Sequence, residues 1–315
     1  MILEIQHETR FTYPEPVSEA VAEVRLEPVS DEEQSCHSFH LSVAPAAALY
    51  RYSDGFGNRV HHFNLLAPHR EVRVLSASVV ETHSRPEDLG LCEAVIPLEL
   101  ESQGLQVLDF LPFRGPVRSP QSLEAVLSTL KPAAGTLLTD FVLNVSHYIH
   151  EHYEYASDVT LASSPIDDVL AHGKGVCQDF THLMIAILRS FGVPSRYVSG
   201  YIHRENAESQ SHAWCEVWLP GIGWCGIDPT NNRVVDGRFV KVAIGRDFTD
   251  VPPNKGVYRG SAEQSISVRV ATRALERLPS LSWQEQLPAL NVPLTAIRGP
   301  ARYCTQTDEE DQQQQ

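Results

Sequence analysis

One cysteine, one histidine and one aspartate stand where their types and spacing could support covalent chemistry. In GKGVCQDFTHLMIAILRSFGVP, residues 173–194, Cys177 lies where a glycine-flanked turn meets an apolar helix. Unpaired backbone N–H groups and the positive end of the helix dipole converge at such a joint, and both stabilise a thiolate. Gly173 and Gly175 leave the approach open. A thiolate that can be reached is a nucleophile, whereas the competing role for Cys177 is that of a small buried apolar residue.

A cysteine nucleophile needs a base, and the base needs a group to orient it. SHAWCEVWLPGIGWCGIDPTNN, from Ser211, offers both. His212 opens a strand in which Trp214, Glu216 and Trp218 share its face, while Ala213, Cys215, Val217 and Leu219 take the other. Cys215 is therefore expected to point into the core, away from His212, which argues against a zinc site using both. Cys225 and Ile227 also read as core, and Asp228 points with Trp224. The turn PGIG sends the chain back, and its register decides what meets what. If Leu219 faces Trp224, His212 and Asp228 lie on opposite faces. If Trp218 faces Trp224, residue 228 falls opposite residue 214, one diagonal step from His212. A triad requires the second register. Outside a triad, Asp228 is an ordinary turn residue before Pro229.

Several neighbours have plainer roles. Asp179 falls in the first helical turn, where a carboxylate suits the dipole. His182 lies roughly 140° round the helix from Cys177 and is expected to pack or hydrogen-bond elsewhere. Asn231 and Asn232 read as turn residues, and His147 and His150 as solvated. Trp214 and Trp218 either wall a substrate cleft or pack beneath a neighbouring domain.

The elements that must hold these groups are legible in the pattern. Residues 1–117 read as antiparallel β: ILEIQHETRFTY, AVAEVRLEP, SFHLSVAP and EVRVLSASVVETH alternate apolar and polar side chains, and DGFGN at residues 54–58 is a turn. Prolines and glycines thicken through LPFRGPVRSP and KPAAG, so residues 118–135 are expected to be a connector. The core is placed at 136–275. Leu137, Phe141, Val145, Tyr148 and Ile149 mark one helical face. Phe180, Leu183, Met184, Ile187, Leu188 and Phe191 mark a second helix, stopped by Gly192 and Pro194. Strands follow in SRYVSGYIH, SHAWCEVWL and GWCGIDPT, then GRDFTDVPPNKGVYRG as a loop and QSISVRVATRAL as one more strand. A helix followed by strands predicts an α+β core. The C-terminal segment 276–315 ends in an acidic, glutamine-rich tail expected to be disordered.

Composition bounds the partners. The 315 residues are 42 % hydrophobic and 21 % charged, as in a globular protein with a real core. A net charge of −15 offers no basic face for nucleic acid and no polybasic patch for a membrane. No apolar run approaches the roughly 18 residues that span a bilayer, and MILEIQHETRFTY does not resemble a signal peptide. A cytoplasmic setting is expected, with Cys36, Cys92, Cys177, Cys215, Cys225 and Cys304 reduced and lacking CxxC spacing. No EF-hand-like loop or HExxH spacing is present, so no cofactor and no metal are expected.

GVCQDFTHL followed by SHAWCEVWLPGIGWCGIDPTNN resembles the bacterial transglutaminase-like superfamily, in which a papain-like core carries a Cys–His–Asp triad. The resemblance places the cysteine of G-x-C-x-D at Cys177, the histidine of H-A-W at His212 and the aspartate of D-P-T at Asp228. HETRFTYPEPV, RLEP and DGFGN are similar to the β domain that precedes this core in bacteria, and GRDFTDVPPNKGVYRG to the segment that follows it. The implied fold is α+β: an N-terminal antiparallel β domain, then a cysteine-bearing helix on an antiparallel sheet. Related cores draw their second oxyanion donor from a Gln or Trp upstream of the cysteine. No Trp precedes Cys177 here, so Tyr155 and Gln178 are the candidates. The implied activity is hydrolysis of a peptide or protein amide through a thioester. Acyl transfer to an amine, as in a transglutaminase, and a catalytically silent binding protein are the alternatives.

Overall fold

The computed structural model describes residues 1–83, 86–99, 104–118, 121–157, 160, 164–205 and 210–279. The expected disordered tail lies outside them. Five strands come first: β1 (Ile2–Glu27), β2 (Gln34–Ala44), β3 (Tyr50–Ser53), β4 (Arg59–Leu65) and β5 (His69–Thr82). The short helices α1 (Leu105–Leu108) and α2 (Glu124–Leu130) follow. Next come α3 (Leu138–His152), β6 (Glu154–Tyr155), α4 (Ile166–His172), β7 (Lys174–Gly175) and α5 (Cys177–Ser190). The second sheet is made by β8 (Ser195–Ile202), β9 (Gln210–Leu219), β10 (Gly223–Asp228), β11 (Arg233–Val234) and β12 (Phe239–Gly245). Two further strands, β13 (Asn254–Arg259) and β14 (Ser265–Leu275), close the described chain. The fold is α+β, an antiparallel β domain with a helix-on-sheet core.

β1 organises the first domain. Its N-terminal half runs antiparallel between β5 and β14, and its C-terminal half between β4 and β13. The pairing breaks between Thr12 and Val17, where Pro14 and Pro16 cannot donate to a ladder. The two halves enclose Tyr13, Val17, Val24, Leu26, Phe63, Val72 and Val74. The DGFGN turn joins β3 to β4: Asp54 Oδ1 accepts from the N–H groups of Phe56 and Asn58, both at 3.0 Å, and Gly57 takes φ +84°.

Three sequence expectations need correction. GRDFTDVPPNKGVYRG is not all loop, because its Asn254–Arg259 part is β13. The core does not run to 275, because β13 and β14 return to β1. Without them the long outer flank of β1 would leave its backbone groups unpaired. Residues 118–135 are not a free connector either. Leu123, Val126 and Leu130 are buried in the core around α5, as are Leu89, Ile96 and Val117 from the stretch expected to belong to the β domain. Prolines end strands there without preventing burial.

The second sheet runs β11-β10-β9-β8-β12, all antiparallel. Ala213, Cys215, Val217 and Leu219, the alternate residues of β9, meet Phe180, Leu183, Met184 and Ile187 of α5 in one core. Fully burying each such aliphatic side chain contributes about 1.5–3 kcal/mol, so this face sets where α5 lies. α5 is buried on every side from Asp179 to Arg189, with α3 and α4 also against it. It ends at Gly192, φ +73°, where the Val193 N–H donates to Leu188 O at 3.0 Å. Among the described residues no helix is long and apolar enough to cross a membrane.

Candidate active site

Cys177 is the first residue of α5, and the chain approaches it through a tightly specified turn. The Asp179 side chain folds back so that Oδ2 accepts from the Val176 N–H at 2.8 Å and from Thr160 Oγ1 at 2.5 Å. One of the unpaired N–H groups at the helix start is thereby satisfied. A Cβ at Gly175 would stand 2.9 Å from both Cβ and Oδ2 of Asp179, so glycine is required for this fold-back. Gly173 ends α4 in the left-handed conformation, φ +67°. Between these glycines, β7 pairs in parallel with β6, setting Tyr155 level with Gly175.

The register of β9 and β10 is the one a triad requires: Trp224 pairs with Trp218, and Ile227 with Cys215. Asp228 thus reaches the face of His212, and His212 Nε2 donates to Asp228 Oδ2 at 2.8 Å. The Cys177 thiol is hydrogen-bonded to the His212 side chain, which leaves it Nδ1. Cys177 is half-buried, His212 is 6 % exposed and Asp228 is fully buried. Burial alone would disfavour a charged imidazole. The hydrogen bonds to Asp228 and Cys177, with their charges, outweigh it and raise His212 to about 10. Burial would likewise raise Asp228, but the bonds and charge of His212 and the bonds from Asn231 hold it below the ordinary carboxylate value.

Asp228 is held by more than His212. Its Oδ1 accepts from the backbone N–H of Thr230 at 2.9 Å and of Asn231 at 3.3 Å, and its Oδ2 accepts from Asn231 Nδ2 at 2.6 Å. The turn role that the sequence assigns to Asn231 is therefore incomplete. The sequence signal reaches only as far as the turn: an Asp before Pro-Thr-Asn can close an Asx turn, but it does not say which way the Asn231 amide points. His147 and His150 are exposed, as expected, yet they bond to this turn. The His150 Nδ1–H donates to Thr230 O at 3.0 Å, and Asn232 Nδ2 donates to His147 Nδ1 at 3.1 Å.

The other sequence candidates separate. Tyr155 is half-exposed, its ring 6.4 Å from that of Phe180. Burial first, then the charge of Cys177, pushes its phenol upward. Gln178 is half-buried in the same first turn of α5. Trp214 does not wall an open cleft. Trp214 is 1 % exposed and packed among Val198, Ile202 and Phe239. Trp218 lies six residues along β9 from His212, roughly 20 Å away, edge-on to Trp224. Alternation told their face correctly but not what covers it. Cys215 and Cys225 are buried in the α5-facing core, and burial pushes the Cys215 thiol up. His182 is fully buried, its Nε2 accepting from the Phe248 N–H at 3.1 Å. The five described cysteines are free thiols, and no cluster among the described residues has the form of a metal site.

Similarity to known proteins agrees with this architecture. Residues 128–229 match the model of the transglutaminase-like superfamily, and residues 3–81 that of the bacterial transglutaminase-like N-terminal region. An uncharacterized protein of Mycobacterium leprae is 34 % identical over 281 residues, 85 % of this chain and 97 % of that protein. The chain belongs to the transglutaminase-like superfamily. Within this superfamily, an uncharacterized protein of Mycobacterium tuberculosis is 31 % identical over 279 residues, covering 83 % of this chain and 89 % of its own. A protein-glutamine gamma-glutamyltransferase of Pseudomonas aeruginosa is 30 % identical over 136 residues, 37 % of this chain and 20 % of that protein. The crystal structure of a candidate cysteine protease from Cytophaga hutchinsonii superposes with a TM-score of 0.72 at 22 % identity, over 89 % of this chain and 93 % of that one, and shares its fold. As a transglutaminase-like protein, the chain has the scaffold of cysteine-based hydrolases and acyltransferases.

Proposed function

We propose that this protein is a cysteine-dependent hydrolase of peptide or protein amides that works through a thioester. The observation that carries the proposal is the chain of contacts from the Cys177 thiol to His212 and from His212 Nε2 to Asp228 Oδ2 at 2.8 Å. Cys177 Sγ attacks the amide carbonyl carbon while its proton resides on His212. Asp228 keeps the imidazole in the tautomer that leaves Nδ1 facing sulfur. The charge that develops on the carbonyl oxygen is met by the Cys177 backbone N–H at the helix start, with the Tyr155 phenol as second donor and Gln178 as the other side chain in reach. As the C–N bond breaks, His212 passes its proton to the departing amine. Water, deprotonated by His212, then opens the thioester and restores the thiol.

An amine taking the place of water would make the same site a transglutaminase. The local likeness to a protein-glutamine gamma-glutamyltransferase favours keeping this acceptor in the test. Free thiols throughout the described residues suit the reducing, cytoplasmic setting we assign.

Alkylation against pH, mapped by mass spectrometry, tests the nucleophile without a known substrate. Cys177 is expected to react at about pH 6, where an unactivated thiol is inert, while Cys215 and Cys225 stay silent. Turnover of peptide amides, with and without added amine, then identifies the acceptor, and Cys177→Ser should abolish it with the fold intact. Turnover that survives Cys177→Ser removes the mechanism. A Cys177 as slow as free cysteine favours a silent binding protein.

A further inference from the structure

We infer that Asn231 is a positioning residue of the triad, fixing the Asp228 carboxylate so that His212 is held in line; the inference rests on the reading of Cys177 as nucleophile. Asp228 has two oxygens with two acceptor sites each, and four donors fill them: His212 Nε2 and Asn231 Nδ2 on Oδ2, and the N–H groups of Thr230 and Asn231 on Oδ1. The terminal torsion of an aspartate is soft, so one anchored oxygen does not fix the plane of the carboxylate. The backbone N–H groups anchor Oδ1. Among the described residues, only Asn231 Nδ2 anchors Oδ2 independently of the imidazole that Oδ2 must orient.

The turn is built to present that amide. On one side of Asn231, Thr230 O accepts from the His150 Nδ1–H at 3.0 Å. On the other, Asn232 sits at φ +48°, its Oδ1 accepting from Ser146 Oγ at 3.3 Å and its Nδ2 donating to His147 Nδ1 at 3.1 Å. α3 therefore grips the residues flanking Asn231 and leaves its own amide for Asp228. The titratable and charged groups around the turn are His212, Cys177, His147 and His150, with Arg233 paired across from Asp228 in β11.

The test compares the rate of Cys177 carbamidomethylation against pH in the wild type, Asn231→Ala and Asn231→Asp, with thermal unfolding as a check of fold. Losing a hydrogen bond to a charged group should slow Asn231→Ala by about tenfold or more near neutral pH. Asn231→Asp is isosteric but has no donor when ionised. Two adjacent carboxyls share one proton as pH falls, and the protonated one can donate as the amide did. Asn231→Asp should therefore match Asn231→Ala at alkaline pH and approach the wild type on acidification. A merely structural asparagine would give no such rescue. Wild-type rates in Asn231→Ala, or an Asn231→Asp variant that tracks Asn231→Ala at every pH, overturn the inference. A wild-type Cys177 no faster than free cysteine removes the underlying reading, and the inference falls with it.

Discussion

His212 shows how single residues set the working range of this site. Burial lowers an imidazole, yet His212 is raised to about 10 because hydrogen bonds and charge from Asp228 and Cys177 prevail. The imidazolium that the proposed thiolate attack requires therefore persists well above neutral pH. The sign for stability follows: a histidine raised on folding contributes fully below its unfolded value, and that contribution fades as pH rises toward about 10. Asp228→Asn removes the charge and leaves burial unopposed from that side, so His212 should titrate lower. The alkaline limb of Cys177 reactivity toward iodoacetate, an anion drawn by the imidazolium, should move to lower pH; an unmoved limb would mean that Asp228 does not govern His212. Tyr155→Phe deletes one proposed oxyanion donor and should lower kcat by on the order of 10²-fold with KM little changed. If kcat holds, the donor lies elsewhere and Gln178→Ala becomes the informative variant. At this scale Cys177, His212 and Asp228 were legible because each sits in a short motif tied to a helix start, a strand face or a turn. Asn231 was not, since its amide faces Asp228 only once the turn has closed and α3 has gripped its neighbours.

At the level of elements, the decisive feature is how α5 begins. Gly175 allows Asp179 to fold back onto the Val176 N–H, and that bond sets the direction in which Cys177 leaves the turn. Gly175→Ala would drive a methyl group to 2.9 Å from Asp179, so either the cap or the turn must give way. Overpacking of this kind costs about 1–3 kcal/mol. The expected outcome in denaturant unfolding is a loss of that size, together with slower alkylation of Cys177; a variant of unchanged stability would show that the turn relaxes freely. α5, β8, β9 and β10 could be read from the sequence because their apolar periods are strong and their partners adjacent in the chain. The β9–β10 register could only be posed as a choice, since PGIG is compatible with both, and the pairing of Trp218 with Trp224 decides it. β13 escaped because Pro252, Pro253, Gly256 and Gly260 carry the marks of a loop. Its strand conformation comes from β1, more than two hundred residues earlier, and no local pattern contains that partner.

Across the whole molecule, the β domain holds the core by its open edge. β12 is the outer strand of the core sheet, and its outward backbone groups at Lys241 and Ile244 meet two buried side-chain amides from the other domain. Gln34 donates to Lys241 O and accepts from the Lys241 N–H, both at 2.8 Å. Asn58 does the same with Ile244, also at 2.8 Å for each bond. The Lys241 ammonium is buried among Glu216 at 2.6 Å, Asp31 at 2.9 Å and Glu33 at 3.0 Å, so the same junction carries an ion network. Each carboxamide mimics one step of a missing strand: Asn58 covers both the donor and the acceptor of Ile244, and Gln34 covers the Lys241 N–H while sharing Lys241 O with the Val29 N–H, which donates to it at 3.3 Å. Truncating Asn58 should cost about 2 kcal/mol or more, because an unsatisfied buried backbone group costs about 1–3 kcal/mol and two are uncovered at once; truncating Gln34, which leaves the Lys241 N–H unmet while Val29 still donates to Lys241 O, should cost about 1–3 kcal/mol. The chain also returns through β13 and β14 to β1, so the domains are bound at both ends of the core and should unfold together. Gln34→Ala and Asn58→Ala are therefore expected to lower the urea midpoint while keeping a single transition, followed in parallel by tryptophan fluorescence, whose four residues include three in the core sheet region, and by far-ultraviolet dichroism, which also reports the β domain. Separate transitions by the two probes would show instead that the amides are the main tie between domains. An unchanged midpoint would show that water replaces them at no cost and that the β12 edge does not need its cover.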